Sequence, residues 1–249
     1  MIAFFKVVLY YPIFNLLVFF YNLIPDIGIA IIFVTIIIKI IIWPLSKKSM
    51  RSQKAMQTIQ PKLEALQTQY KGDQQALARA TMELYKQEDI SPFSSCLTPL
   101  IQLPIMISVF YAFRNGLVNT NFDFLYSFVK NPGTINPMMF NILDLSKPQW
   151  ILGVFAGTAQ FFQSRLLMQK KKDKQEINTD NKSKELSLTE TMTKQMTYTM
   201  PIVTVLISLS LPGGLALYFF VITLLGILEA MFFTKPINKK QNNQVEVIN

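Results

Sequence analysis

The sequence predicts an all-α polytopic membrane protein. Five transmembrane helices enclose a hydrated cavity, with a cytoplasmic antiparallel coiled-coil hairpin and an N-terminal interfacial helix beside them. Three observations carry this reading. A chain of 249 residues that is 51% hydrophobic, with a mean hydropathy of +0.30, could fold as one large soluble domain or as a small polytopic membrane protein. Its apolar residues, however, gather into separate blocks near the length that crosses a bilayer, about 17–25 helical residues. Charge is confined almost wholly to the segments between the blocks, and the basic residues fall on alternate segments.

The elements follow in order. Residues 1–24 hold one basic residue, Lys6, and no small-x-small cleavage site, so they are read as a retained amphipathic segment lying along the membrane surface rather than as a signal peptide. The spans are expected over 25–45, 93–116, 148–168, 195–212 and 213–234. Pro99, Pro104 and Pro201 interrupt the second and fourth, and Pro212-Gly213-Gly214 turns the fourth tightly into the fifth. Residues 46–92 form a cytoplasmic helical hairpin. Met56, Ile59, Leu63, Leu66 and Tyr70 step by three and four along one helix face, Lys71-Gly72-Asp73 breaks the pattern, and Leu77, Ala80 and Leu84 resume it. Its outer face carries Lys62 and other basic residues suited to anionic headgroups, RNA or a targeting factor. An extracytoplasmic loop occupies 117–147. The cytoplasmic loop 169–194 is polar and aperiodic over 170–185 and is read as partly disordered. A cytoplasmic tail, 235–249, is only mildly basic and does not favour strong RNA binding.

Orientation follows from lysine and arginine. Nineteen of the 24 lie in 46–94, 165–195 and the tail, four lie on the other side, and Lys39 lies inside a span. The positive-inside rule then puts the N-terminus outside and the C-terminus in the cytoplasm of a cell membrane. Histidine is absent and Cys96 is the single cysteine, which removes His-based acid–base chemistry, His or Cys zinc sites and any intrachain disulfide. No cofactor is expected, and Cys96 is read as structural.

Lys39, in "VTIIIKIIIWPL", is the residue that demands an explanation. A lysine at the centre of a span costs about 2.5–3.5 kcal/mol on insertion scales, and such residues face a bundle interior or water. Side chains lean toward a helix N-terminus, so Lys39 is expected to lean away from the nearer, cytoplasmic interface, which disfavours snorkelling. No acidic residue is expected to pair with it, because Glu229 lies toward the cytoplasmic end of the fifth span. Thr35, Gln102, Ser108, Thr158, Gln160, Gln163, Thr204 and Ser208 give the spans hydroxyls and amides. An unpaired cation among them points to a hydrated cavity that attracts anionic groups. Two other classes stand beside a binding role: a small-solute or ion transporter, against which no internal repeat is visible, and a Ser/Lys hydrolase using Ser108 or Ser208, for which no nucleophile frame is present.

Three stretches, "GIAIIFVTIIIKIIIWPLSKKSMRSQKAMQTIQPKLEALQTQY", "MELYKQEDISPFSSCLTPLIQLPIMISVFYAF" and "LPGGLALYFFVI", together resemble the YidC-type membrane protein insertases, which include mitochondrial and chloroplast relatives. The resemblance runs from about residue 11 to 235 and identifies a short form without the large extracytoplasmic domain. It implies a hydrophilic groove open to the cytoplasm and to lipid, closed on the outer side, which inserts newly made membrane proteins and helps them fold without nucleotide hydrolysis or other enzyme chemistry. On this resemblance Lys39, Thr35, Tyr218 and Phe219 are groove and substrate-binding residues, and the polar span residues Gln102, Thr158 and Gln163 are read as lining the same groove. The hairpin residues are Lys62, Leu63, Leu66, Tyr70, Lys71, Gly72, Asp73 and Leu77. Nascent membrane proteins and membrane lipids are the implied partners. A Sec-type translocon, the signal recognition particle or its receptor, and the ribosome are further candidates; DNA is not. Lysine at position 39 departs from the family's usual arginine, exchanging a planar fork for a point charge.

Overall fold

The computed structural model describes residues 5–91, 97–118, 122–167 and 188–233. Cys96, the polar segment 170–185 and the tail 235–249 lie outside them. The described chain is built from seven helices and one two-stranded hairpin. Helix α1 (Tyr11–Leu23) is preceded by a π-helical turn, Lys6–Tyr10. Then come α2 (Ile27–Gln69), α3 (Gln74–Gln87) and α4 (Leu97–Phe113), the last running into a π-helical turn at Arg114–Val118. Strands β1 (Met138–Met139) and β2 (Leu143–Asp144) pair antiparallel, Met138 opposite Asp144. Helices α5 (Trp150–Leu167), α6 (Leu188–Ser208) and α7 (Gly213–Phe233) complete the order.

Helix α2 shows why an Ile- and Val-rich run, poor in intrinsic helix preference, is helical here. In apolar surroundings every backbone donor and acceptor must be satisfied within the segment, and a helix does this. Asp26 starts it: one carboxylate oxygen accepts from the Ile29 N–H at 3.0 Å, as an N-cap does, and the other accepts from the Phe140 N–H at 2.6 Å. The helix then continues through Pro44 and Pro61 to Gln69, so residue 45, where the sequence draws the end of the first span, falls inside one 43-residue helix.

Among the described residues three helical stretches are long and apolar enough to cross a membrane: Lys6–Leu23, Ile27–Met56 and Gly213–Phe232. The first of these is the stretch that the sequence lays along the surface. Helix α5 falls short in apolarity, because Gln160, Gln163 and Arg165 interrupt it, and α4 is described over 17 residues only.

Helix α5 packs along α6 and α7, α2 lies between α7 and α1, and α4 meets α1, α2 and α7. Gly153 and Gly157 make the α5–α6 approach possible. A Cβ at Gly153 would stand 2.7 Å from Ser208 Cβ, and one at Gly157 would stand 3.0 Å from the Pro201 carbonyl oxygen. Small residues at such contacts let membrane helices approach closely.

The core is concentrated at one end. Phe14, Leu17 and Val18 of α1, Ile27 and Ile31 of α2, Val109 of α4 and Tyr218 of α7 are wholly buried, and so is Leu145 from the loop between α4 and α5. Side-chain and backbone hydrogen bonds to its main chain fasten this loop. Asn15 donates to the Phe124 carbonyl and accepts from the Tyr126 N–H, Tyr21 accepts from the Asn136 N–H, and Gly213 and Gly214 N–H donate to the carbonyls of Lys147 and Leu145. The opposite end carries the α2–α3 hairpin and the polar residues described next.

Candidate functional site

Helices α2 and α7 both begin at the loop end, where Asp26 is tied to Phe140 and Gly213 to Lys147, and so they run parallel. At 1.5 Å per residue Lys39 lies about 18 Å along α2, Ser46 about 28 Å, and Glu229 about 24 Å along α7. Glu229 therefore sits at a depth between the other two. Lys39 Nζ meets Glu229 Oε2 at 2.5 Å and Ser46 Oγ at 3.3 Å, and Ser46 Oγ donates to Glu229 Oε2 at 2.8 Å. The Lys39 side chain is 12% exposed and that of Glu229 2%.

Two expectations are corrected by this geometry. Lys39 does have an acidic partner, because parallel helices of similar depth bring Glu229 to it from 190 positions away in sequence. Its ammonium also reaches toward the hairpin end, against the lean of its Cα–Cβ bond, because the flexible four-carbon stem can reverse that direction when a carboxylate lies there. The signal for the pairing was present: Glu229 is the one acidic residue well inside an apolar block.

The remaining predicted groove residues divide. Gln102 on α4 donates to the Tyr218 hydroxyl on α7 at 2.6 Å, and Phe219 packs its ring beside Tyr218 with centroids 5.7 Å apart. Gln163 of α5 lies against α7 at Gly226, one turn before Glu229. Thr35 is wholly buried and bonds the Ile31 carbonyl of its own helix at 2.7 Å, and exposed Thr158 does the same to Val154. The structure thus joins Gln102 to Tyr218, and Lys39 to residues outside the predicted set, while Thr35 and Thr158 bond only within their helices. Helix α5 is also linked to α6 by Thr204 donating to Gln160 Oε1 at 2.5 Å.

The serine hydroxyls do not form a dyad with Lys39. Ser108 and Ser208 donate to the carbonyls of Pro104 and Thr204. The serine that meets Lys39 is Ser46, and its proton goes to a carboxylate.

In the hairpin, Gly72 takes φ +94°, a left-handed conformation that a residue without Cβ adopts freely, and Asp73 caps α3 by accepting from the Gln75 and Ala76 N–H groups. Ile59 and Leu63 are buried, and Leu66, Tyr70 and Leu77 are half-buried. Lys71, Gly72 and Asp73 lie exposed at the turn, and Lys62 pairs with Glu88 across the base. Tyr70, Asp73, Arg79 and Glu83 line a shallow open depression there.

A bundle of long apolar helices with a mid-span cation, Lys39, neutralised inside defines a multi-pass membrane protein. The sequence pattern of the family described as 60Kd inner membrane protein matches residues 19–241. The chain belongs to that family. Curated relatives named "Membrane protein insertase YidC" include one from Fusobacterium nucleatum subsp. nucleatum, 33% identical over 208 residues, covering 84% of this chain and 86% of that one. Another, from Clostridium tetani, is 34% identical over 215 residues, covering 86% and 84%. A longer relative from Francisella tularensis subsp. novicida is 29% identical over 235 residues, covering 94% of this chain and 36% of that one. Among solved structures, "Active YidC insertase crystal structure with the first transmembrane domain resolved" matches with a TM-score of 0.55 and 25% identity, covering 91% of this chain and 47% of that one.

Proposed function

We propose that this chain is a membrane protein insertase of the cell membrane, with Lys39 as the charge that draws in the outward-going segment of a newly made client. The single observation behind this reading is a lysine held mid-span with its side chain more exposed than that of its counter-ion, in a chain whose relatives are named insertases. In this reading α2, α4, α5, α6 and α7 are the five spans, α1 lies at the outer interface, and the N-terminus is outside. The site is a groove lined by Lys39, Thr35, Gln102, Thr158, Gln163, Tyr218 and Phe219.

An acidic client tail enters from the hairpin end, is drawn toward Lys39, and the apolar client segment leaves sideways along α5 and α7 into lipid. No chemical step and no nucleotide are needed. A wet groove shortens the path over which unpaired client backbone crosses hydrocarbon, where each unsatisfied group costs several kcal/mol, and apolar transfer of the client drives the rest. Proline inside α4 and α6 (Pro104, Pro201) is compatible with short helices that thin the local bilayer. The α2–α3 hairpin acts in this scheme as a short coiled coil that receives clients from a ribosome, the signal recognition particle or its receptor, beside or apart from a Sec-type translocon.

The test is insertion into liposomes of single-span clients that differ only in the charge of the outward tail. Lys39→Arg is expected to insert both, and Lys39→Ala to lose the acidic client selectively. Wild-type rates for the acidic client with Lys39→Ala overturn the charge-attraction mechanism.

A further inference from the structure

Lys39 is not an open cation. A lysine ammonium has three N–H donors, and here Glu229 Oε2 and Ser46 Oγ take two of them. Glu229 is held one-sidedly: Oε2 accepts from Lys39 and from Ser46, whereas Oε1, equally buried, has no hydrogen-bond partner among the described residues. One turn further along α2, the buried Ser49 Oγ is likewise without a partner.

An approaching anion therefore does not meet a unit positive charge. With opposite charges 2.5 Å apart the pair is neutral as a whole, and at any distance much larger than that separation its attraction is that of a dipole, which falls off faster than Coulomb's law for a monopole. A client carboxylate arriving at the third ammonium donor also meets the repulsion of Glu229 behind it.

We propose that Glu229 is a resident competitor for the client carboxylate, a specificity-determining residue that sets how acidic a segment must be before Lys39 engages it. This rests on the reading of Lys39 as the client-binding cation. A single acidic group gains little from a pre-neutralised lysine. Several together compete with Glu229 for the ammonium, and the carboxylate with the unused oxygen is the one with least to hold it in place. Lysine suits such an exchange better than arginine, because its donors are those of a rotatable point charge and not a fixed two-pronged fork that would bind Glu229 through both oxygens.

The experiment uses the full chain in liposomes and the ratio of insertion rates for two clients identical except for aspartates or asparagines in the outward tail. Glu229→Gln leaves Lys39 with its full charge and is expected to raise the acidic-to-neutral ratio by at least about threefold. Glu229→Met, uncharged and of similar length, is expected to raise it in the same sense, and serves where Glu229→Gln does not accumulate in the membrane. A ratio that falls with Lys39→Gln but does not rise with either Glu229 variant overturns the assignment of Glu229 alone. A ratio insensitive to Lys39→Gln as well as to the Glu229 variants overturns the client-binding reading, and this inference with it.

Discussion

Gln102 was visible in the sequence as a polar group inside an apolar block and Tyr218 through the family resemblance, but their bond was not, because it depends on how α4 and α7 are rotated against one another. The Tyr218 ring is wholly buried, and its hydroxyl is the acceptor for the half-buried Gln102 amide. Interhelical hydrogen bonds in membrane proteins contribute about 0.6 kcal/mol on average and up to about 1.7. A double-mutant cycle of Gln102→Leu and Tyr218→Phe, read by unfolding in mixed micelles, is expected to return a coupling energy in that range. Lys39 and Glu229 present the same problem at higher stakes. Removing one member of a buried ion pair costs about 3–5 kcal/mol, chiefly because the other is left uncompensated. Lys39→Ala is therefore expected to be less stable than the double variant Lys39→Ala with Glu229→Gln, which strands no buried charge, and the two unfolding curves decide it. An equal stability would mean that Glu229 is solvated without Lys39.

Among the elements, the hairpin is the least supported by packing. No residue of α3 is fully buried, and the Lys62–Glu88 pair at its base is solvent-exposed, a setting in which ion pairs contribute about 0–1 kcal/mol. What fixes α3 is local: Gly72 in the turn and Asp73 bonding two N–H groups of its first turn. Asp73→Ala is expected to weaken the helix by about 1 kcal/mol, seen as faster amide exchange over residues 75–87 with the rest of the bundle unchanged. If the hairpin receives clients, deleting residues 60–85 lowers client delivery while the melting of the bundle stays put. Unchanged delivery would make it a connector. The stripe Ile59, Leu63, Leu66 and Leu77 and the break at Lys71-Gly72-Asp73 could be read from spacing, since α2 stops at Gln69 immediately before it. That α2 runs unbroken from the loop end into the hairpin could not. The sequence draws the end of the first span at residue 45, yet Pro44 lies inside the helix, because a proline there removes one bond and leaves the flanking turns to carry the chain through.

At the scale of the whole molecule the two ends differ. The helical class and the family were legible, since both rest on apolar blocks and motifs that persist along the chain. The asymmetry was not, because the loop's hold depends on single hydrogen bonds to backbone groups between distant residues: Asn15 to Phe124 and Tyr126, Asp26 to Phe140, Leu145 to Gly214. Asp144 is the titratable part of that closure. Its carboxylate accepts from the Ser146 hydroxyl at 2.6 Å and the Ser146 N–H at 3.0 Å, and pairs with Lys147 at 3.1 Å. The Ser146 hydroxyl foremost, an effect that burial partly opposes, and then Lys147 and the Ser146 N–H hold its pKa below the usual carboxylate value. A depressed folded-state pKa means that this contribution is complete above the unfolded value, about 3.9, and is lost as pH falls from there through the folded value. Because the next residue, Leu145, is buried and accepts the Gly214 N–H, loosening Asp144 frees the segment that pins the start of α7. Pepsin cleavage within 138–147 is therefore expected to accelerate as pH drops through that range. Asp144→Asn, which cannot ionise, should already be cut faster at the upper end of the range and show a flatter pH profile. If wild type and Asp144→Asn share one profile, the closure at the loop end does not depend on this carboxylate, and the apolar burial of Leu145 holds it alone.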